Sequence, residues 1–128
     1  MAKILLVEDD TLNREMIARR LTWGGYQVIT AQDGAEAVAM ADSEQPDLIL
    51  MDLGLPVLNG WQAVKRIKAA PKTQAIPIIA LTAYALTEDR DSSLEAGCDD
   101  YMSKPVDFAQ LQVKIQALLD RGRAANER

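Results

Sequence analysis

Short runs of apolar residues recur along this chain with stretches of helical periodicity between them, and this alternation constrains the fold more than any other feature. The apolar runs lie at 4–7, 28–31, 48–51 and 78–81, with a weaker one at 101–102. Their apolarity is continuous rather than alternating, which is typical of strands covered on both faces in a parallel sheet. The sequence therefore predicts a five-stranded doubly wound α/β domain, because right-handed crossovers place helices on both faces of such a sheet.

The first and last predicted helices have the clearest boundaries. The first covers 12–23 and ends at Gly24 and Gly25, since glycine favours helix ends. Its apolar residues form a loose stripe that we expect to face the core, namely Leu12, Met16, Ile17 and Leu21. In the last helix Asp107 is placed to cap the N-terminus. The residues that follow it at helical spacing are Phe108, Leu111, Ile115 and Leu118.

Three further helices complete the predicted pattern. The second begins after Asp33 and runs toward Asp42, and the third covers about 60–69. The fourth is capped by Thr87 and ends at Gly97. No linker interrupts this series, so we predict one domain over 1–120 and a short polar C-terminal tail at 121–128.

Composition excludes several classes of function. The chain contains no histidine, which excludes histidine-based acid–base catalysis, and its single cysteine, Cys98, cannot form an intrachain disulfide. The net charge of -5 argues against binding DNA. No apolar run approaches the roughly 20 residues that span a bilayer, and the N-terminal one is too short for a signal peptide. We expect a cytoplasmic protein without membrane or DNA partners.

Polar residues follow four of the five predicted strands at their carboxyl ends. They are Glu8, Asp9 and Asp10, then Asp52, Thr82 and Lys104. In a parallel open sheet these ends share one edge, where ligands bind. Several carboxylates in one pocket repel one another unless a cation is present, and oxygen ligands without histidine or cysteine select a hard metal such as Mg²⁺. The sequence therefore predicts a divalent metal site beside a lysine that can pair with a phosphate.

Each of these residues also has a plainer interpretation. The acidic residues after the first strand would stabilise a helix N-terminus even without a metal. Asp52 could be a solvated turn residue, and Lys104 could lie on the surface. These interpretations weaken because Asp52 ends a wholly apolar strand and is followed by a turn rather than by a helix start. The combination is more specific than any one member.

Four segments together resemble the receiver domains of response regulators from bacterial two-component systems, in particular the single-domain chemotaxis regulators. The segments are Leu-Leu-Val-Glu-Asp-Asp at 5–10, Leu-Ile-Leu-Met-Asp-Leu-Gly-Leu-Pro-Val-Leu-Asn-Gly at 48–60, Leu-Thr-Ala at 81–83 and Tyr-Met-Ser-Lys-Pro at 101–105. Any one of them is a weak motif, but four in this order and spacing are a strong one. The resemblance covers nearly the whole chain.

The resemblance implies a strand order of 2-1-3-4-5 and a role for each site residue. Asp52 would accept a phosphoryl group, and Lys104 would pair with the phosphoryl oxygens. Asp9 would ligate Mg²⁺ directly, Glu8 through water, and the Gly54 backbone carbonyl would complete the metal shell with Asp52. The resemblance further assigns the conformational switch to Thr82 and Tyr101, and it implies a cis bond between Lys104 and Pro105.

By the same resemblance the chain is a phosphoacceptor that assists its own phosphorylation and dephosphorylation, and is not a turnover enzyme. The donor would be a phosphohistidine on a sensor kinase or on a histidine phosphotransfer protein. We expect a stand-alone regulator, monomeric or weakly dimeric, that signals to a downstream protein through the predicted fourth helix, the last strand and the last helix. Two alternatives stay open, namely a relay that donates to a histidine phosphotransfer protein and an unphosphorylated scaffold.

Two rival classes fit the residues less well. An aspartate-nucleophile phosphatase of the haloacid dehalogenase type needs a second acid two residues after the nucleophile, where this chain has Gly54. A flavodoxin-like cofactor binder is compatible with the fold. However, no glycine-rich phosphate loop follows the first strand.

Overall fold

The computed structural model describes residues 2–53, 60–82 and 97–126. Within these ranges the strands form one parallel sheet in the order β2-β1-β3-β4-β5. The strands are β1 (Lys3–Val7), β2 (Gln27–Ala31), β3 (Leu48–Asp52), β4 (Ile78–Thr82) and β5 (Asp100–Ser103). This order confirms the predicted doubly wound fold.

The described helices begin where the sequence predicts them. They are α1 (Thr11–Trp23), α2 (Gly34–Glu44), α3 (Gly60–Ala69) and a C-terminal helix, α4 (Phe108–Asn126). The predicted fourth helix after Thr87 lies outside the described residues, so α4 here corresponds to the fifth predicted helix. The helix continues to Asn126 through most of the predicted tail, and the domain boundary at 120 stays a prediction. Among the described residues, no helix is both long and apolar enough to cross a membrane.

Aspartates cap three of the helices. The Asp10 carboxylate accepts a hydrogen bond from the Leu12 backbone N–H at 3.0 Å, and the Asp33 carboxylate accepts one from the backbone N–H of Glu36 at 2.8 Å. Asp107 accepts from the Gln110 N–H at 3.2 Å, which confirms the predicted cap of the last helix. Each cap satisfies a donor that helix geometry leaves without a partner.

The sheet separates two apolar layers, and β1 shows how its residues alternate between them. Leu5 and Val7 pack toward α2 and α3, against Ala37, Ala41, Val64 and Ile67. Ile4 and Leu6 pack on the opposite face toward α1 and α4, against Ile17, Leu21, Leu111 and Ile115. Every residue of β3 and β4 is buried. The edge strand β2 is only partly covered, because it has a neighbouring strand on one side alone.

The predicted inward stripe of α1 is wrong at two positions. Ile17 and Leu21 are buried as expected, but Leu12 is 76% exposed and Met16 is 50% exposed. A helix turns about 100° per residue, so Met16 lies about 100° and Leu12 about 140° around the axis from Ile17. A helix that packs on a sheet buries one narrow stripe, and these two side chains fall outside it.

Cys98 is expected to resist thiol reagents in the folded protein. Its side chain is 5% exposed, and burial, aided by the charge of Asp99, raises the pKa of Cys98 to about 12. At pH 8 the reactive thiolate is then about one part in ten thousand of the folded population. Labelling with a chromogenic disulfide reagent should be at least about 100-fold slower than in denaturant, which serves as the control. Equal rates would show that the thiol is accessible.

Candidate functional site

The predicted site residues lie at the carboxyl ends of neighbouring strands. Glu8 follows β1, Asp52 is the last residue of β3, Thr82 ends β4 and Lys104 follows β5. β1 and β3 are adjacent in the sheet, and the chain winds away from them in opposite directions. Open α/β sheets bind ligands in the crevice at such a reversal.

Lys104 joins two of the acidic residues. Its Nζ donates to Glu8 Oε2 at 3.0 Å and to Asp52 Oδ2 at 3.1 Å. The carboxylate side chains are only 2% and 9% exposed respectively, so this ammonium offsets the repulsion between two buried charges. The backbone N–H of Lys104 donates to the Thr82 carbonyl at 2.7 Å. This bond holds the Lys104 backbone against the end of β4. The bond between Lys104 and Pro105 is cis, as the resemblance implied.

Burial and neighbouring charges shift the pKa values of Glu8 and Lys104. Burial raises the pKa of the Glu8 carboxyl above its usual range, although the hydrogen bond from Lys104 opposes the shift. Burial by itself would lower the pKa of Lys104. The hydrogen bond to Glu8 and the charge of Asp52 outweigh it, so the pKa of Lys104 is raised and the side chain is an ammonium near neutral pH.

Three carboxylates come together where the sequence predicted a metal site. Oxygen atoms of Glu8, Asp9 and Asp52 all lie within 4.8 Å of one another, with Glu8 and Asp52 buried and Asp9 exposed. All the donors are hard oxygens, a set that fits Mg²⁺ rather than a softer transition metal. Asp10 lies outside this group and caps α1, so the helix-cap interpretation is correct for that one residue. The predicted ligand Gly54 lies outside the described residues.

The two predicted switch residues differ in burial and in their position along the strands. Thr82 is 5% exposed at the end of β4 and is paired in register with Ser103. Tyr101 pairs with Ala80, two residues before the end of β5, and is partly buried against the apolar layer that contains α2 and α3. The roles of both residues in switching stay predictions.

Gly60 is a site residue that the sequence interpretation missed. A Cβ added at Gly60 would lie 2.6 Å from the Leu53 Cα and would also contact the Asp52 carbonyl oxygen. Helix α3 therefore begins directly against the backbone that carries Asp52. The available signal was a glycine at the first position of the predicted third helix.

Replacing Gly60 by alanine is expected to lower the free energy of unfolding by about 1–3 kcal/mol, because backbone atoms must move to admit the methyl group. Gly24→Ala is the matched control. There the added Cβ meets the far end of the flexible Gln112 side chain at 2.6 Å, which can move away, and approaches backbone no closer than 3.3 Å, at the Leu21 carbonyl oxygen. Urea unfolding of both variants measures the difference, and equal stabilities would show that the α3 contact is loose.

Comparison with known proteins agrees with this geometry. The response regulator receiver domain family matches residues 4–116. RpaA of Synechocystis sp., a DNA-binding dual master transcriptional regulator, is 36% identical over 121 residues, which cover 94% of this chain and 50% of that protein. The transcriptional regulatory protein CusR of Escherichia coli is 39% identical over 122 residues, covering 95% and 53%. The chain thus spans about half the length of these curated relatives.

Solved structures show the same similarity at the level of the backbone. The receiver domain of the sensor histidine kinase PA1611 from Pseudomonas aeruginosa has a TM-score of 0.87 and 44% identity, covering 93% of this chain and 98% of that one. That structure holds a magnesium ion coordinated in its active site cleft. The chemotaxis protein CheY4 of Vibrio cholerae has a TM-score of 0.86 and 32% identity, covering 92% and 98%. The fold, the strand-end residues and the family match over residues 4–116 agree. The chain belongs to the response regulator receiver domains of two-component systems.

Proposed function

We propose that this receiver accepts a phosphoryl group on Asp52 from a phosphohistidine donor and signals through a changed protein-binding face. One observation carries the proposal. The Asp52 carboxylate ends a buried strand and is held between the Lys104 ammonium and two further carboxylates. A nucleophile, a fixed cation and a set of hard-metal ligands therefore meet at one point.

Asp52 supplies the nucleophile. One carboxylate oxygen forms the new O–P bond as the P–N bond to the donor imidazole breaks in line. The imidazole leaves with the bonding pair as the neutral ring, its other nitrogen carrying the proton. Because phosphoryl transfer asks for little covalent work from a protein, positioning and charge neutralisation dominate.

Lys104 and the acidic pair provide the charge balance. The Lys104 ammonium, already 3.1 Å from the Asp52 carboxylate, offsets charge on the incoming phosphoryl oxygens. We propose that Glu8, Asp9, Asp52 and the Gly54 carbonyl hold Mg²⁺, in line with the cation in the PA1611 receiver. When bound, the ion supplies positive charge to the acceptor and to the phosphoryl oxygens.

The signal leaves the site through Thr82 and Tyr101 in this proposal. A new phosphoryl group adds strong hydrogen-bond acceptors, which can draw the Thr82 hydroxyl inward and let the Tyr101 ring change position. The partner would bind at β5, the C-terminal helix and the predicted fourth helix. Stand-alone action stays a prediction, since the curated relatives are about twice as long.

A relay role is the second candidate, and one observation favours it. The 44% identical receiver belongs to a sensor histidine kinase rather than to a transcription regulator. In a relay the phosphoryl group would leave Asp52 for a histidine phosphotransfer protein. Radiolabelled receiver that loses its label to such a protein faster than to water would support this role.

The central test is phosphoryl incorporation by the pure protein. Incubation with phosphoramidate or acetyl phosphate and Mg²⁺, followed by intact mass measurement, should add one phosphoryl group. Omission of Mg²⁺ should prevent the addition, and hydroxylamine should remove it, because an aspartyl phosphate is an acyl phosphate. A folded protein that takes no phosphoryl group from these donors or from a histidine kinase would contradict the proposal.

A further inference from the structure

Arg14 contacts the backbone of the acidic segment, Glu8 to Asp10, at three successive residues, two through its side chain and one through its backbone N–H. Arg14, on the first turns of α1, donates from Nη1 to the Glu8 carbonyl oxygen at 3.0 Å and to the Asp9 carbonyl oxygen at 3.5 Å. Its backbone N–H donates to the Asp10 carbonyl at 2.8 Å. The first bond is partly buried and the second is longer and exposed, so the Glu8 contact is the stronger of the two.

These bonds are made to carbonyl oxygens, although carboxylates are the more usual partners of arginine. Holding the carbonyls toward Arg14 leaves the Glu8 carboxylate to Lys104 and the Asp9 carboxylate to the cluster with Asp52. The segment is held from its other side as well, since the Asp10 backbone N–H approaches Glu8 Oε1 at 3.4 Å. The Arg14 side chain therefore holds the backbone of Glu8 and Asp9 without using either carboxylate.

We propose that Arg14 is a positioning residue for the metal site, which orders the Glu8–Asp9 backbone so that the two carboxylates converge with Asp52. The inference rests on the proposed magnesium-dependent function. The exposed Asp9 carboxylate depends most on this clamp, because an unclamped backbone must lose conformational freedom when the ligands assemble. Groups that orient metal ligands without touching the metal typically change metal affinity by about 10–100-fold.

The sign of the effect separates positioning from simple electrostatics. A guanidinium beside three carboxylates repels a divalent cation, so loss of its charge alone would tighten Mg²⁺ binding. Loss of positioning would weaken it. The Arg14→Gln variant removes both the charge and most of the donors, and therefore shows which contribution is larger.

The experiment titrates Mg²⁺ alone into the metal-free protein by calorimetry, with urea unfolding of each variant measured beside it. We expect the dissociation constant to rise about tenfold in Arg14→Gln. Arg14→Lys, which keeps the charge and has a single donor nitrogen, should recover part of the affinity. Arg19→Gln is the matched control, since Arg19 is an exposed arginine on the same helix, and its affinity should stay within about twofold.

Each outcome decides between the interpretations. Unchanged or tighter binding in Arg14→Gln, with wild-type binding intact, would overturn the role of Arg14 and leave the proposed function standing. If Arg14→Gln does not fold, Arg14→Lys carries the test, and wild-type affinity in that variant would overturn the proposal. A wild-type protein that binds no Mg²⁺ would instead overturn the metal-dependent function, and this inference with it.

Discussion

Replacing Asp52 by asparagine is expected to reduce phosphoryl incorporation to background while the protein stays folded. The amide has nearly the shape of the carboxylate but cannot act as the nucleophile. Lys104 keeps its second partner, Glu8, at 3.0 Å, so the variant leaves no buried ammonium without an acidic group. Intact mass after incubation with a small phosphodonor and Mg²⁺ measures the loss.

Asp42→Asn is the matched control for this substitution. Asp42 lies on α2, its side chain is 61% exposed and pairs with Lys72, and the same chemical change there should leave incorporation intact. Incorporation that persists in Asp52→Asn would mean that Glu8 or Asp9 accepts the group. Reductive labelling of the acyl phosphate followed by peptide mapping would then identify which one.

Replacing Lys104 by methionine is expected to lower the free energy of unfolding of the metal-free protein by about 3 kcal/mol at neutral pH. Removal of one partner from a buried ion pair typically has this effect, because it leaves the other charge buried and uncompensated. Here two carboxylates, 2% and 9% exposed, would face each other without the ammonium. Mg²⁺ should restore part of the loss, and urea unfolding with and without the ion measures both effects.

The same variant should become less stable relative to wild type as pH rises. Burial already raises the pKa of Glu8 above its ordinary value of 4.5, and the variant loses the Lys104 hydrogen bond that opposes this shift. A carboxyl with a raised pKa in the folded state stabilises the fold at acid pH. That contribution disappears as pH rises through the folded pKa. The deficit should therefore be smaller at pH 5 than at pH 8.

Lys114→Met provides the control for Lys104→Met. Lys114 pairs with Asp100 at 3.1 Å, but both side chains are about a third exposed, at 31% and 32%. An exposed pair of this kind contributes at most about 1 kcal/mol. If both lysine variants lost the same stability, the Lys104 ammonium would not be what holds the buried carboxylates together.

Much of the fold could be predicted from local pattern. The third predicted helix, at 60–69, agrees with α3 at both ends, and β1, β3 and β4 each agree to within one residue. These elements are buried along a continuous run or a clear helical stripe, so their sequence carries the signal directly. Leu12 and Met16 were predicted to face the core and are exposed, because the apolar character of a residue does not determine which side of a helix packs on the sheet. Arg14 gave no sequence signal, since its contacts are to backbone atoms, and Gly60 gave only that of a glycine at the start of a helix.

By itself the sequence determined the doubly wound fold and the set of polar residues at the strand ends. Both follow from local runs of apolar residues and the polar residues that end them. Only the tertiary structure decided how that set divides. Glu8 and Asp9 join Asp52, Asp10 caps α1 instead, and Lys104 bridges the carboxylates of Glu8 and Asp52. That division depends on the direction of the backbone as it leaves β1 and on the adjacency of β1, β3, β4 and β5, which segments distant in sequence establish only when they pack together.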